Sequence, residues 1–93
     1  MLNPVEKVRV IDSRRLHVRF ADGVEGEVDL GAVIGHGAFA ELMDPGAFAQ
    51  VGIDEFGAVS WPTGADLAPD AMHNALRRDG RWQPRFAPVT QDA

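Results

Sequence analysis

Residues 15–30 read RLHVRFADGVEGEVDL, and the parity of their side chains decides how the chain folds. Leu16, Val18 and Phe20 alternate with Arg15, His17 and Arg19, while Val24, Val28 and Leu30 alternate with Glu25, Glu27 and Asp29. A period of two predicts two half-buried strands. A two-residue Asp22-Gly23 turn would set Phe20 opposite Glu25 and Val18 opposite Glu27, mixing apolar and acidic residues on one face. A slip of one residue flips every side chain, so that register conflicts with burial. A three-residue loop, Ala21-Asp22-Gly23, instead pairs Phe20 with Val24, Val18 with Gly26 and Leu16 with Val28. On the other face it pairs Arg19 with Glu25, His17 with Glu27 and Arg15 with Asp29. Such a loop needs a left-handed residue at its bulge, which Gly23 supplies. The three-residue loop is predicted.

The same arithmetic extends to the N-terminal side. Val8 and Val10 alternate with Lys7, Arg9 and Ile11, and a loop at Asp12-Ser13-Arg14 sets Val10 opposite Leu16 and Val8 opposite Val18. The result is an antiparallel meander with one oily and one charged face. Exposed cross-strand ion pairs are worth only ~0.2–1 kcal/mol each, so they set register more than stability.

Residues 31–46 are rich in Gly and Ala. Phe39, Leu42 and Met43 have helical spacing, broken from what precedes by Gly35-His36-Gly37 and stopped before Pro45-Gly46. Phe48, Val51 and Ile53 lead to a turn at Asp54-Glu55-Phe56-Gly57, and Val59 returns as partner strand ending at Trp61, because Pro62 has no N–H for a ladder. Pro69 suits the first turn of a helix. Ala71, Met72, Ala75 and Leu76 form its apolar stripe, and Asp79-Gly80 ends it. The expected fold is α+β: an antiparallel β-meander plus a second β-hairpin, packed against one main C-terminal helix and a short helical link. Residues 1–79 form the domain, and 80–93 an extended tail containing Trp82 and Phe86.

A chain of 93 residues makes one domain and buries only about 60–65% of its unfolded surface. No apolar run approaches the ~18 residues of a membrane span. Met1-Leu2-Asn3-Pro4 lacks the layout of a signal peptide, and with no cysteine there is neither a disulfide framework nor a thiolate zinc site, so a cytoplasmic protein is expected. The net charge of −5 is segregated: residues 20–76 hold ten acids and no Lys or Arg, while the bases lie at the two ends. Opposite ends pairing within the fold is one consequence. An acidic face attracting a basic partner is another, and phosphate binding by the bulk of the domain is disfavoured.

The segment Trp61-Pro62-Thr63-Gly64-Ala65-Asp66 is the best candidate site. In the architectural reading Trp61 plugs the core, Gly64 takes a conformation closed to other residues, and Asp66 accepts backbone N–H groups that hold the turn or start the helix. In the catalytic reading Asp66 is a carboxylate at the mouth of a cleft beside Thr63 and Asp70, which requires a raised pKa and a second group. His73, between Asp70 and Arg77 on a helix flank, is weak evidence for a metal. His17 is expected against Glu27, and His36 between glycines is exposed. Gly35-x-Gly37 lacks the Lys and glycines of a phosphate loop. No metal or cofactor is predicted.

Three pieces, Phe20-Ala21-Asp22-Gly23, Asp29-Leu30, and Trp61-Pro62-Thr63-Gly64-Ala65-Asp66 followed by Pro69, closely resemble the signature of a small prokaryotic family, domain-of-unknown-function family 2442, over about residues 5–77. The resemblance implies the same small α+β architecture. It also implies that some relatives carry an added helix-turn-helix domain, for which there is no room after Gly80, and a toxin–antitoxin-like or regulatory partnering. The leading expectation is a non-catalytic protein-interaction domain, with Glu41, Asp44, Asp54 and Glu55 as an acidic surface and Trp82 and Phe86 as an accessory arm. The alternatives are an enzyme or small-ligand domain centred on Asp66, and a DNA-associated factor using Arg9, Arg14, Arg15 and Arg19. A protein partner is expected, a homo-oligomer is compatible with the sequence, nucleic acid is disfavoured, and no membrane is expected.

Overall fold

A computed structural model describes residues 4–85. Strands β1 (Val5–Val10), β2 (Arg15–Phe20) and β3 (Glu25–Asp29) form the meander. A 3₁₀ helix (Gly37–Met43) and the short helix α1 (Pro45–Phe48) lead to a hairpin of β4 (Gly52–Ile53) and β5 (Val59–Ser60). The main helix α2 (Pro69–Asp79) then runs into β6 (Arg81–Trp82). The larger sheet has the order β1-β2-β3-β6, and β4-β5 is a separate pair. The architecture is α+β.

The register between β2 and β3 is the one parity requires: Leu16 faces Val28, Val18 faces Gly26 and Arg19 faces Glu25. Phe20 N–H closes the loop on the Val24 carbonyl at 2.7 Å, and Gly23 has φ 92°. Between β1 and β2, Val8 faces Val18 and Val10 faces Leu16, again as predicted. Nearer the N-terminus the pairing shifts, with Val5 opposite Phe20 and Lys7 opposite Arg19. Glu6 is therefore the extra residue of a β-bulge, which returns Val5 to the buried face while Glu6 and Lys7 both face solvent.

One loop design is used four times. Backbone N–H groups of Ile11, Phe20, Asp54 and Trp61 each donate to the carbonyl four residues on, at 2.7–2.9 Å. Gly23, Gly57 and Gly64 fill the left-handed position in the last three, with φ of 92°, 80° and 99°. A side-chain oxygen pins each: Asp12 Oδ1 accepts from Arg14 and Arg15, Asp22 Oδ1 from Val24, Asp54 Oδ1 from Phe56 and Ala58, and Thr63 Oγ1 from Ala65. Phe20-Ala-Asp-Gly-Val and Trp61-Pro-Thr-Gly-Ala are thus the same turn, with Asp22 and Thr63 in equivalent places. A Cβ on Gly23 would meet nothing within 4 Å. Gly23→Ala should then cost only its backbone conformation, about 1–2 kcal/mol, as a lowered denaturant midpoint would show.

The oily faces meet in one core. Leu16, Val18, Phe20, Val28, Leu30 and Met72 are fully buried, joined by Leu42, Phe48, Val59, Trp61, Leu67 and Leu76. The stripe of α2 is Met72, Ala75 and Leu76; Ala71, expected within it, is exposed because it lies one residue off the face that meets the sheet. Gly80 ends the helix in the left-handed conformation, its N–H donating to the Leu76 carbonyl at 2.8 Å. Its own carbonyl accepts from Glu27 N–H at 3.2 Å, which steers Arg81 and Trp82 alongside β3 in parallel.

Two local expectations are corrected. Pro45-Gly46 does not simply stop the helical link: Asp44 caps a new turn, its carboxylate accepting from Ala47 N–H at 3.3 Å with Pro45 in first position. Trp61 lies just beyond β5, with its N–H turned to the Ala65 carbonyl at 2.9 Å.

Candidate functional site

Trp61 is built into the interior. It is 4% exposed, and its indole N–H donates to the Phe48 carbonyl at 2.9 Å. The Phe39 ring stands perpendicular to it at 6.3 Å, and Phe48 lies tilted at 5.9 Å. The turn Pro62-Thr63-Gly64 sends the chain back along β5: Leu67 N–H donates to the Val59 carbonyl at 3.0 Å, and Ser60 bridges Asp66. Ala65 and Leu67 are buried, so alternation sends the Asp66 side chain out to solvent.

Asp66 therefore does not play the role expected of it. Among the described residues no backbone N–H donates to its carboxylate, and Ala68 stands at the N-cap of α2 without a side-chain bond. Its contribution to the turn is through its backbone. The work of holding the turn falls to Thr63. Pro62 and Gly64 are exposed on the same loop.

The sequence hid a second constellation. His73 Nε2 lies 2.8 Å from Asp22 Oδ2, across 51 positions of chain, and its ring meets Phe20 edge-on at 4.8 Å. His73 thus joins α2 to the β2–β3 loop, a contact that spacing along the helix does not announce. The hydrogen bond from His73, helped by the Val24 N–H, holds the Asp22 carboxyl below the usual carboxylate range. A carboxyl lowered on folding adds stability above its unfolded pKa, about 4, and that stability is lost as pH falls through the lowered value. Asp22→Asn should accordingly lower the urea midpoint at pH 7, and its gap from the parent should close in acid. A gap constant with pH would contradict the pairing.

On the solvent face of the sheet the ion pairs run diagonally. His17 reaches Glu25 at 3.2 Å rather than Glu27, which faces it in register, because Arg15 takes Glu27 at 3.2 Å while also holding Asp12. Arg19 meets Glu6 and Glu25, and Arg14 lies 3.9 Å from Asp29. Of the four arginines proposed for DNA, only Arg9 meets no carboxylate among the described residues.

The predicted acidic surface divides in two. Asp44 caps α1, and Asp54, half-buried, ties its own hairpin loop. Glu41 and Glu55 are exposed and make no such bond among the described residues. Trp82 is half-buried in β6 and lines a groove of about 550 Å³ with Glu27, Asp29, Arg78 and Arg81, so it belongs to the sheet rather than to a projecting arm. Phe86 lies outside the described residues. Among those residues, no three His, Asp or Glu side chains converge as metal ligands, and no helix is long and apolar enough to cross a membrane.

No curated protein and no solved structure matches the chain. A family profile matches residues 5–78, covering the meander, both signature turns and nearly all of α2. The chain belongs to the family described as protein of unknown function DUF2442.

Proposed function

We propose that this domain is a non-catalytic module that binds a basic protein partner through the stretch of chain running from Glu41 to Asp70. One observation carries the reading. Of the ten carboxylates in residues 20–76, Asp22, Glu25, Glu27 and Asp29 meet His or Arg side chains. Among the described residues the other six, Glu41, Asp44, Asp54, Glu55, Asp66 and Asp70, meet no cation. Large exposed apolar side chains fall in the same stretch: Phe56 is 80% exposed beside Glu55, and Met43 is 70% exposed. An exposed aromatic next to an unpaired carboxylate suits a basic, partly apolar partner.

The test is capture from host lysate at two salt concentrations. A triple variant, Glu41→Gln, Glu55→Gln and Asp66→Asn, leaves the structural carboxylates of Asp44 and Asp54 in place. Screening shortens from ~10 Å at 0.1 M salt to ~3 Å at 1 M, so the partner should be held at low salt by the parent only. A partner retained equally by both proteins at both salts would sink the reading.

A further inference from the structure

Among the described residues, strand β1 is the outer strand of the larger sheet, and only its beginning is covered. Val5 N–H donates outward to the Gly57 carbonyl at 2.9 Å, where the second hairpin meets it. The bond from Ile11 N–H to the Arg15 carbonyl fixes the alternation along the rest. Residues 11, 9 and 7 exchange backbone bonds with β2, and Val8 and Val10 turn theirs away from the sheet. Among the described residues nothing is bonded to the outward groups of Val8 and Val10.

The side chains along this edge are equally incomplete. Lys7 and Arg9 project on the solvent face and meet no carboxylate among the described residues, since Glu6 is occupied by Arg19. Val8 and Val10 pack against the core but are only partly buried. Beside them runs a groove of about 750 Å³, walled on the far side by Gly52 and Ile53, the latter 40% exposed. Backbone donors and acceptors, half-covered valines and two unpaired cations together describe one missing strand.

We infer that the open edge of β1, from Lys7 to Val10, takes up an extended segment of a partner protein in which acidic and apolar residues alternate. The acidic residues sit opposite Lys7 and Arg9, and the apolar ones continue the row of Val8 and Val10. A second copy of this chain is a poor occupant. An antiparallel self-pairing that sets Val8 against Val8 sets Lys7 against Arg9, and one that sets Val8 against Val10 sets Arg9 against Arg9, and like charges directly opposite repel. Phosphate is a poor one too, because it leaves the valines and the strand backbone unmet. This reading uses the cations and backbone of β1 and none of the unpaired carboxylates between Glu41 and Asp70, so either reading can fail without the other.

The probe is a short end-blocked peptide of alternating Glu and Val, compared with one in which Lys replaces Glu, and observed by amide NMR of the intact chain. The Glu peptide should slow exchange at the Val8 and Val10 amides, and the Lys peptide should not. The double variant Lys7→Glu/Arg9→Glu should weaken the Glu peptide roughly tenfold and favour the Lys peptide. Val8→Pro removes an outward N–H at an edge position, where proline is tolerated, and should abolish binding without lowering thermal stability greatly. The charge-reversal variant decides the matter alone should Val8→Pro not fold. Equal binding of the two peptides, protection away from Val8 and Val10, or a concentration-dependent dimer protecting those amides would each overturn the inference.

Discussion

Trp61→Ala is expected to cost about 3–5 kcal/mol, the usual range for emptying a large aromatic site, and so to remove most of the stability of so short a chain. The indole is 4% exposed and lies between Phe39 and Phe48, which belong to two different helical pieces. Its loss therefore detaches the helical link from the second hairpin as well as leaving a cavity. Trp61→Phe separates the two contributions. It keeps much of the volume but deletes the N–H that donates to the Phe48 carbonyl at 2.9 Å. That carbonyl still accepts from Val51 N–H at 3.3 Å, so it is not left bare. The lost bond should then cost near the low end of the range for a buried pair, about 1 kcal/mol, plus whatever the smaller ring fails to fill. Urea midpoints should rank the parent first, then the Phe variant, then the Ala variant. An Ala variant unfolding with the parent would mean that Trp61 is not the plug between link and hairpin.

The meander was legible because burial and charge alternate in it with one period. Every apolar position of residues 15–30 belongs on one face, so only one loop length satisfies both strands, and the observed register follows it. The helix boundaries were legible from Pro69 and Gly80, whose backbone preferences act locally. What stayed hidden depends on distant partners. Nothing near His73 announces Asp22, and a two-residue strand such as β6 has too few positions to show a period. The β1 bulge did leave a trace, in the spacing of Val5, Val8 and Val10, three and then two, which a strand can bury on one face only by inserting a residue.

At the candidate site a local rule misled. Asp66 stands shortly before a helix, as a capping carboxylate would, yet Ala65 and Leu67 are both wanted inside, and a strand cannot bury its odd and even residues together. Burial of two neighbours outweighed one cap. Asp44 shows the opposite case: an acid directly before a proline is a fair signal of a helix start, and α1 begins there. The acidic surface thus resolves into structural carboxylates, which their own backbones occupy, and unoccupied ones.

Gly26→Ala should destabilise by about 3 kcal/mol, the upper end of the range for overpacking, although backbone preference favours the change. Glycine within a strand costs about 0.5–1 kcal/mol relative to alanine. The sign is decided by space. Gly26 faces Val18 on the buried side of the sheet, and a Cβ there would collide with the carbonyl of Gly80, its carbon at 2.7 Å and the Leu76 Cδ2 methyl at 2.9 Å. The methyl could rotate aside, but the carbonyl cannot easily do so. It is held by Glu27 N–H, it follows a left-handed helix cap, and it leads directly into β6. Relief requires the end of α2 to lift, which loosens Leu76 and strips β3 of its parallel neighbour. Gly52→Ala in β4 is the control, since a Cβ there meets nothing within 4 Å, and it should be neutral or slightly stabilising. Chemical denaturation of the two variants beside the parent checks the pair. Equal midpoints for Gly26→Ala and Gly52→Ala would mean that the helix end does not rest on β3, and the close approach that turns the chain from α2 into β6 would have to be abandoned.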